Sequence, residues 1–250
     1  MQILFVRRFY IILLFMNFKL AVVALVLLIA FSALAHGQKV VVVNDPTKTV
    51  KETKLSEEDS ALIDRIVLPK ITAKYQRDSC NVNLEPAGVI HGAFTRPNSK
   101  QTLVFFQICQ TGNGFGVAGL ALIENGKVIG TFGAEAGWTA DIGLVPDINK
   151  NGVNEFVLAY SGGMHQGQGG IGVDLMEFSK DAPTGIGWYL AEKFEDTQAM
   201  TAWKLTAKPG RSPVYYRQKY NADESEKWHI AGKTSAFKLG KAYSKFSRVK

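Results

Sequence analysis

Asp147, Asn149 and Asn151 carry side-chain oxygens at positions 1, 3 and 5 of a short segment, Gly152 stands at position 6, and Glu155 follows at position 9. Alternation turns three side chains to one side, glycine permits a sharp bend, and the Val153 carbonyl at position 7 adds a backbone oxygen. An all-oxygen set suits a hard cation, and Ca²⁺ takes six to eight oxygens at about 2.3 to 2.6 Å. Asp147 and Glu155 are the only carboxylates of the set, so they just balance one Ca²⁺, which predicts weak affinity, on the order of 10⁻⁴ to 10⁻³ M. Asn and Gly also favour tight turns without metal, and a plain turn is the competing reading. A full EF-hand is disfavoured because position 12 is Leu158, where a bidentate glutamate belongs, and no helical pattern brackets the loop.

No other segment assembles a reaction. The four histidines, His36, His91, His165 and His229, are scattered without ligand spacing. Glu135, Asp141, Asp174 and Glu177 are the carboxylates available for acid–base chemistry, but sequence alone brings no two of them together. Ser161-Gly-Gly lacks the strand, Gly-x-Ser-x-Gly and helix of a nucleophile elbow. The glycine-rich connection from Ser161 to Gly172 lacks the lysine and following helix of a phosphate cradle. Its His165, Gln166 and Gln168, with Trp138 and Tyr160 and the aromatic ring of Trp188, form a candidate ligand surface; loop and core roles are the alternative for each. No catalytic residue is expected.

The elements that must position these residues are mostly strands. From about Val82 the chain runs in short β-branched and aromatic stretches separated by turn residues. Leu103–Cys109 reads as a buried strand, and Asn125-Gly126 between two apolar runs reads as a two-residue hairpin. Further strands are expected at 142–145, 155–160, 173–178, 188–193, 203–207, 214–220 and 227–231. This spacing predicts a mainly β fold of antiparallel sheets, a sandwich or a small or partial propeller. Before it, Ser56 followed by Glu57, Glu58 and Asp59 reads as a helix start. Leu62, Ile63, Ile66, Val67, Ile71 and Tyr75 then recur at helical spacing, with Pro69 expected to end or kink the helix.

The segment Phe132-Gly133, the loop Asp147–Glu155, Phe156 to Gly163, and Gly172 to Phe178 together resemble one FG-GAP repeat of integrin-like β-propellers. The resemblance covers residues 132–178 and has no second copy. It implies a calcium loop joining two antiparallel strands, with Asp147, Asn149, Asn151 and Glu155 as side-chain ligands and Val153 supplying a carbonyl. Asn149 and Asn151 stand where that family often has aspartate, and Glu155 where aspartate is usual. A closed propeller needs several blades of about 40 to 50 residues, and Val82 to Lys250 is 169 residues.

Compartment and charge complete the reading. Residues 1–35 hold Arg7, Arg8 and Lys19, no acid, an uncharged run from Leu20 to Ala35 and a small-x-small site at Ala33-Leu34-Ala35. This is a secretory-signal pattern, better proportioned if translation starts at Met16; an uncleaved anchor facing outward is the alternative. Export permits a disulfide between Cys80 and Cys109, the only two cysteines. Residues 36–81 then form a polar linker and the amphipathic helix, and 82–250 the β-rich domain. His36 to Met200 carries 14 basic and 19 acidic residues against 12 and 3 in Thr201 to Lys250. The lysines of that basic end are interleaved with aromatics, which favours solvated strand faces over a nucleic-acid surface. The expectation is a secreted or periplasmic, calcium-binding, non-enzymatic binding or structural module with a protein or glycan partner, and with the membrane engaged only through an uncleaved signal. A secreted hydrolase acting on a polysaccharide or cell-surface polymer is the alternative.

Overall fold

The computed structural model describes residues 40–48, 54–112, 114–161, 169–180, 182–194 and 200–250, without the side chains at 136 and 138–140. The expected signal segment, 1–35, therefore lies outside the described residues. So do His165, Gln166 and Gln168.

Strand occupies 58% of the described residues, which makes the fold mainly β, with antiparallel sheets and, among those residues, one helix. Glu85–Gly92 (β2), Gln101–Gly112 (β3), Phe115–Glu124 (β4) and Lys127–Val145 (β5) are followed by Glu155–Ser161 (β6), Gly169–Ser179 (β7) and Ala182–Phe194 (β8). Met200–Lys208 (β9), Val214–Ala222 (β10) and Trp228–Ile230 (β11) continue an up-and-down meander in which each strand pairs with the next. The sheet curls into a half-barrel. At the β4–β5 hairpin, Asn125 and Gly126 take φ of 50° and 68°, the left-handed pair that a two-residue turn requires.

β5 is the hinge of the curl. Its first part pairs with β4 as far as Gly137, and its remainder, from Trp138 to Val145, pairs with β6. One 19-residue strand thus serves both halves of the sheet. On the concave side Ile90 of β2, Leu103 and Phe105 of β3, Phe132 and Ile142 of β5, Phe156 of β6 and Phe178 of β7 share one apolar core. Edge-to-face contact between Phe132 and Phe178, 5.5 Å between ring centres, is part of that packing.

Two further cores lie on the convex side. One holds the helix, which runs without a break through Glu57–Leu62, Ile63–Val67 and Leu68–Tyr75. Ser56 caps it by accepting the Asp59 N–H at 3.1 Å. Leu62, Ile63, Val67, Ile71 and Tyr75 are buried against Val104 and Phe106 of β3. Pro69 does not end the helix: the turn before it widens to a π-helix, Ile63–Val67, and the proline sits at the start of the following α-helical stretch. There its missing N–H leaves no regular α-helical bond broken. Cys80 and Cys109 are disulfide-bonded with Cα atoms 5.3 Å apart, tying the helix exit to β3.

The other convex core packs Val157, Leu175, Tyr189 and Leu205 from β6 to β9. It also includes Val43 of a strand inside the segment read as linker: Val41–Asn44 (β1) pairs with β9. The valine run 40–43 was its signal, weakened by the polar residues that follow it. Ser235–Phe237 (β12) pairs with β10, and Ser247–Arg248 (β13) pairs with β5.

The chain after β12 acts as a strap. Gly240 exchanges backbone hydrogen bonds with Trp188 of β8 at 2.8 and 3.0 Å. The N–H groups of Tyr243 and Ser244 donate to Asp174 of β7 at 2.8 and 2.6 Å. Phe246 enters the concave core, and the Val249 N–H donates to the Thr131 carbonyl at 2.8 Å.

Candidate functional site

Two places hold the residues singled out by type and spacing, and they sit at opposite ends of β6. Its first residue, Glu155, belongs to the oxygen-rich loop. Tyr160, five residues on, belongs to a cavity. At about 3.4 Å per residue the two are roughly 17 Å apart, and the odd interval turns them to opposite faces of the sheet.

The loop is folded around its own backbone. Asp147 accepts the Asn151 N–H at 3.1 Å and the Gly152 N–H at 2.9 Å through its two oxygens. Asn149 Oδ1 also accepts the Asn151 N–H, at 3.1 Å, and Asn151 Oδ1 accepts the Val153 N–H at 3.0 Å. Lys150 and Gly152 take φ of 63° and 90°, which makes the bend. The Glu155 carboxylate accepts the N–H groups of Ile148 and Asn149 at 3.0 and 3.3 Å. The loop is anchored to the fold by the buried side chain of Ile148, by Gly210 N–H donating to the Ile148 carbonyl at 2.8 Å, and by Asn154, whose N–H donates to the Ala93 carbonyl at 2.6 Å.

Glu177 is the member of this cluster that sequence spacing gave no reason to include. Its Oε2 accepts the amide N–H of Asn149 at 2.8 Å and that of Asn151 at 3.1 Å. The amide oxygens of both asparagines are the atoms that accept the loop N–H groups. The β6–β7 register, Phe156 opposite Met176, puts Glu177 beside Glu155 on the same face, and only strand pairing brings them together.

The charge balance of the loop bears on whether a cation fits. Glu155 is 0% exposed. Burial, with the Asp147 charge adding to it, outweighs the backbone hydrogen bonds and pushes its carboxyl up to about 7. No Lys or Arg forms an ion pair with it among the described residues. Burial first, then the charges of Glu155 and Glu177, pushes the Tyr215 phenol up to about 12. Each loop oxygen that accepts one N–H retains a further lone pair. Of the expected cation ligands, Asp147, Asn149, Asn151, Glu155 and the Val153 carbonyl, the four side chains are oxygen donors already engaged with loop N–H groups. Among the described residues no three His, Cys, Asp or Glu side chains gather as a ready metal cluster, and most of this set is amide and backbone oxygen.

At the other end of β6 lies a cavity of about 580 Å³. Tyr160 forms its floor, flanked by Trp188 and Leu190 of β8, with Phe115 of β4 and Tyr243 of the strap at its mouth. The Tyr160 and Tyr243 rings stack, 5.4 Å between centres. Gly172 stands opposite Tyr160 on β7. A Cβ there would lie 2.6 Å from the Trp188 indole nitrogen and 3.1 Å from the Tyr160 ring, so only glycine leaves room for both aromatics. The Tyr160 hydroxyl is buried next to the Trp188 indole and finds no hydrogen bond of good geometry among the described residues. Burial, then the nearby Asp174 charge, pushes that phenol far above its ordinary value. Lys193 of β8 and Lys241 of the strap complete the lining.

Tyr160 is thus the member of the expected ligand surface that lines the cavity, along with Trp188. The Trp138 side chain lies outside the description, as do His165, Gln166 and Gln168. Gly169–Gly172, read from sequence as part of a loop, instead opens β7, with its glycines in the cavity wall.

None of the carboxylates considered for hydrolysis lines the cavity. Glu135 is ion-paired with Arg77 at 2.8 Å. Asp141 accepts the Ile142 N–H at 2.7 Å, and burial raises its carboxyl. Asp174, 0% exposed and likewise raised by burial, holds the strap. Glu177 holds the loop asparagines. No known protein family, no curated protein and no solved structure matches the chain.

Proposed function

We propose that the protein is an exported, non-enzymatic recognition module that binds a ligand in the Tyr160–Trp188 cavity and is braced by calcium at the Asp147–Glu155 loop. The observation that carries this reading is the cavity lining. It combines aromatic rings, glycine backbone and two lysines, and among the described residues no carboxylate, histidine, cysteine or serine faces it. Such a lining has the size and apolar character of a small-molecule site. Among the described residues it has none of the paired acids that glycoside hydrolysis requires.

Export is supported by the signal pattern of residues 1–35 and by the Cys80–Cys109 disulfide, a bond favoured in oxidising compartments. Among the described residues no helix is long and apolar enough to cross a membrane. Calcium is supported by the FG-GAP-like spacing and by a buried Glu155 near Asp147 with no counter-cation among the described residues.

The test is a thermal-shift screen of the secreted protein against glycans, peptides, and lipidic and aromatic small molecules, with turnover of each compound followed in parallel. A compound that raises the melting temperature of the natural protein but not of Gly172→Val, and is recovered unchanged, supports the reading. Catalytic turnover of any of them overturns it. The ion is tested separately by calorimetry in millimolar calcium, where absence of heat removes the calcium part alone.

A further inference from the structure

We propose that the outer row of the C-terminal strap, Lys241, Tyr243 and Lys245, together with Phe115, seats the protein on an anionic lipid surface. This goes beyond the recognition reading and does not depend on it, since it concerns the rim of the cavity and not what enters it.

The strap sorts its side chains by a period of two. Gly240 pairs with Trp188 as in an antiparallel ladder. After it Ala242 covers Gly185, Ser244 is 5% exposed and Phe246 8%, whereas Lys241, Tyr243, Lys245 and Ser247 stand exposed. Extended backbone turns alternate residues to opposite sides. The run Lys-Ala-Tyr-Ser-Lys-Phe-Ser therefore divides into an inner row that packs and an outer row that carries lysine, tyrosine and lysine. The inner row is fixed, because the two Asp174 oxygens hold the strap backbone at Tyr243 and Ser244. Lys74 of the helix meets the end of the outer row, its Nζ donating to Ser247 Oγ at 3.0 Å.

Charge sets the sign of the partner. Lys238 to Lys250 holds five basic residues and no acidic one. On β5, Glu135 lies two residues beyond Gly133, the partner of Ser247, and it is already ion-paired with Arg77 at 2.8 Å. Positive charge alone would suit any polyanion.

The exposed rings choose among polyanions. Phe115 is 53% exposed and Tyr243 51%, and both border one cavity mouth with Lys241. The Phe115 ring has no polar atom to offer a phosphate or a sugar chain, and it gains most from acyl chains. Lysine at phosphate depth, tyrosine at the headgroups and phenylalanine among the chains is the arrangement of a membrane-interface anchor. This contact is separate from the membrane engagement expected of an uncleaved signal.

The experiment co-sediments the secreted protein, in chelator, with vesicles of phosphatidylcholine alone and with vesicles of phosphatidylglycerol and phosphatidylcholine in equal parts. Binding to heparin is measured separately. Lys241→Gln/Lys245→Gln and Phe115→Thr proteins are run alongside, and since all three side chains are exposed their urea midpoints should match that of the natural protein. Partition should favour the anionic vesicles at least about tenfold and should weaken with added salt. The double lysine variant should lose roughly 25-fold on them, about fivefold for each lysine. Phe115→Thr should lose about tenfold on the same vesicles and nothing on heparin. Equal partition onto both kinds of vesicle, as an inserted signal would give, overturns the proposal, and so does no partition onto either. Vesicle binding that Phe115→Thr leaves unchanged also overturns it, because the contact is then that of a polyanion site. Self-association without lipid that Phe115→Thr abolishes, with no vesicle binding, assigns the face to a second copy and overturns it as well. None of these outcomes touches the cavity reading, which stands or falls on the small-molecule screen.

Discussion

Tyr160 on β6 and Gly172 on β7 face each other across the ladder, and the missing side chain of one is the space filled by the ring of the other. The glycines of this region are therefore packing residues of an aromatic floor. Gly137 of β5 serves the same ring from the other side, where a Cβ would come within 2.8 Å of it.

Gly172→Val should push Trp188 and Tyr160 out of place. The expected cost is roughly 1 to 3 kcal/mol, the usual range for overpacking. Trp188 emission should move to longer wavelength as its ring enters water. A variant with unchanged emission and unchanged denaturation midpoint would show that the floor does not depend on this glycine.

Asp174→Ala should release the strap. Two N–H groups, that of Tyr243 half-buried and that of Ser244 buried, lose their acceptor, and the cost is roughly 2 to 5 kcal/mol. Hydrogen exchange should accelerate across 241–249 before it does in β3 or β4. Uniform acceleration over the whole sheet would instead mean global destabilisation with no distinct role for the anchor.

Removing the Cys80–Cys109 bond should lower stability by about 3 to 4 kcal/mol, the loop-closure figure for a separation of 29 residues. The comparison is the urea midpoint of the oxidised protein with that of Cys80→Ala/Cys109→Ala. A shift below 1 kcal/mol would place the constraint elsewhere, in the packing of Ile71 and Tyr75 on β3.

Glu155 gives a pH dependence with a definite sign. In metal-free protein its pKa is raised from 4.5 to about 7. Between these values the folded chain keeps a proton that the unfolded chain has released, so stability is greatest below about 4.5 and falls as pH climbs to about 7. The full swing is on the order of 3 kcal/mol. Denaturant titrations in chelator from pH 5 to 8 should show the fall, and Glu155→Gln should flatten it. Millimolar calcium should restore stability above pH 7 in the natural protein and not in the variant. Identical curves with calcium and with chelator would contradict an ion in the loop.

Local features were the legible ones. Asn125-Gly126 named its own hairpin, the spacing of Leu62, Val67 and Ile71 named the buried face of the helix, and Leu103–Cys109 announced the buried strand β3. Pro69 marked an irregularity without an end: the turn before it widens to a π-helix and the helix continues. The candidate site was legible only in part. Tyr160 and Trp188 stood out by type, but Phe115, Leu190, Lys193, Lys241 and Tyr243 join them through strand register and through the strap, which no short window of sequence encodes. Glu177 was weighed as a possible acid, and nothing in its spacing linked it to Asn149 and Asn151, since β6–β7 pairing alone brings it there.

The strap lies C-terminal to every long strand that it fastens. During synthesis β5, β7 and β8 emerge first, and the Asp174 carboxylate must wait in water until Tyr243 and Ser244 arrive to cover it. A nascent chain halted before that point has an open-ended barrel with Phe132 and Phe178 uncovered by Phe246. Closure is thus a late event on the ribosome's clock.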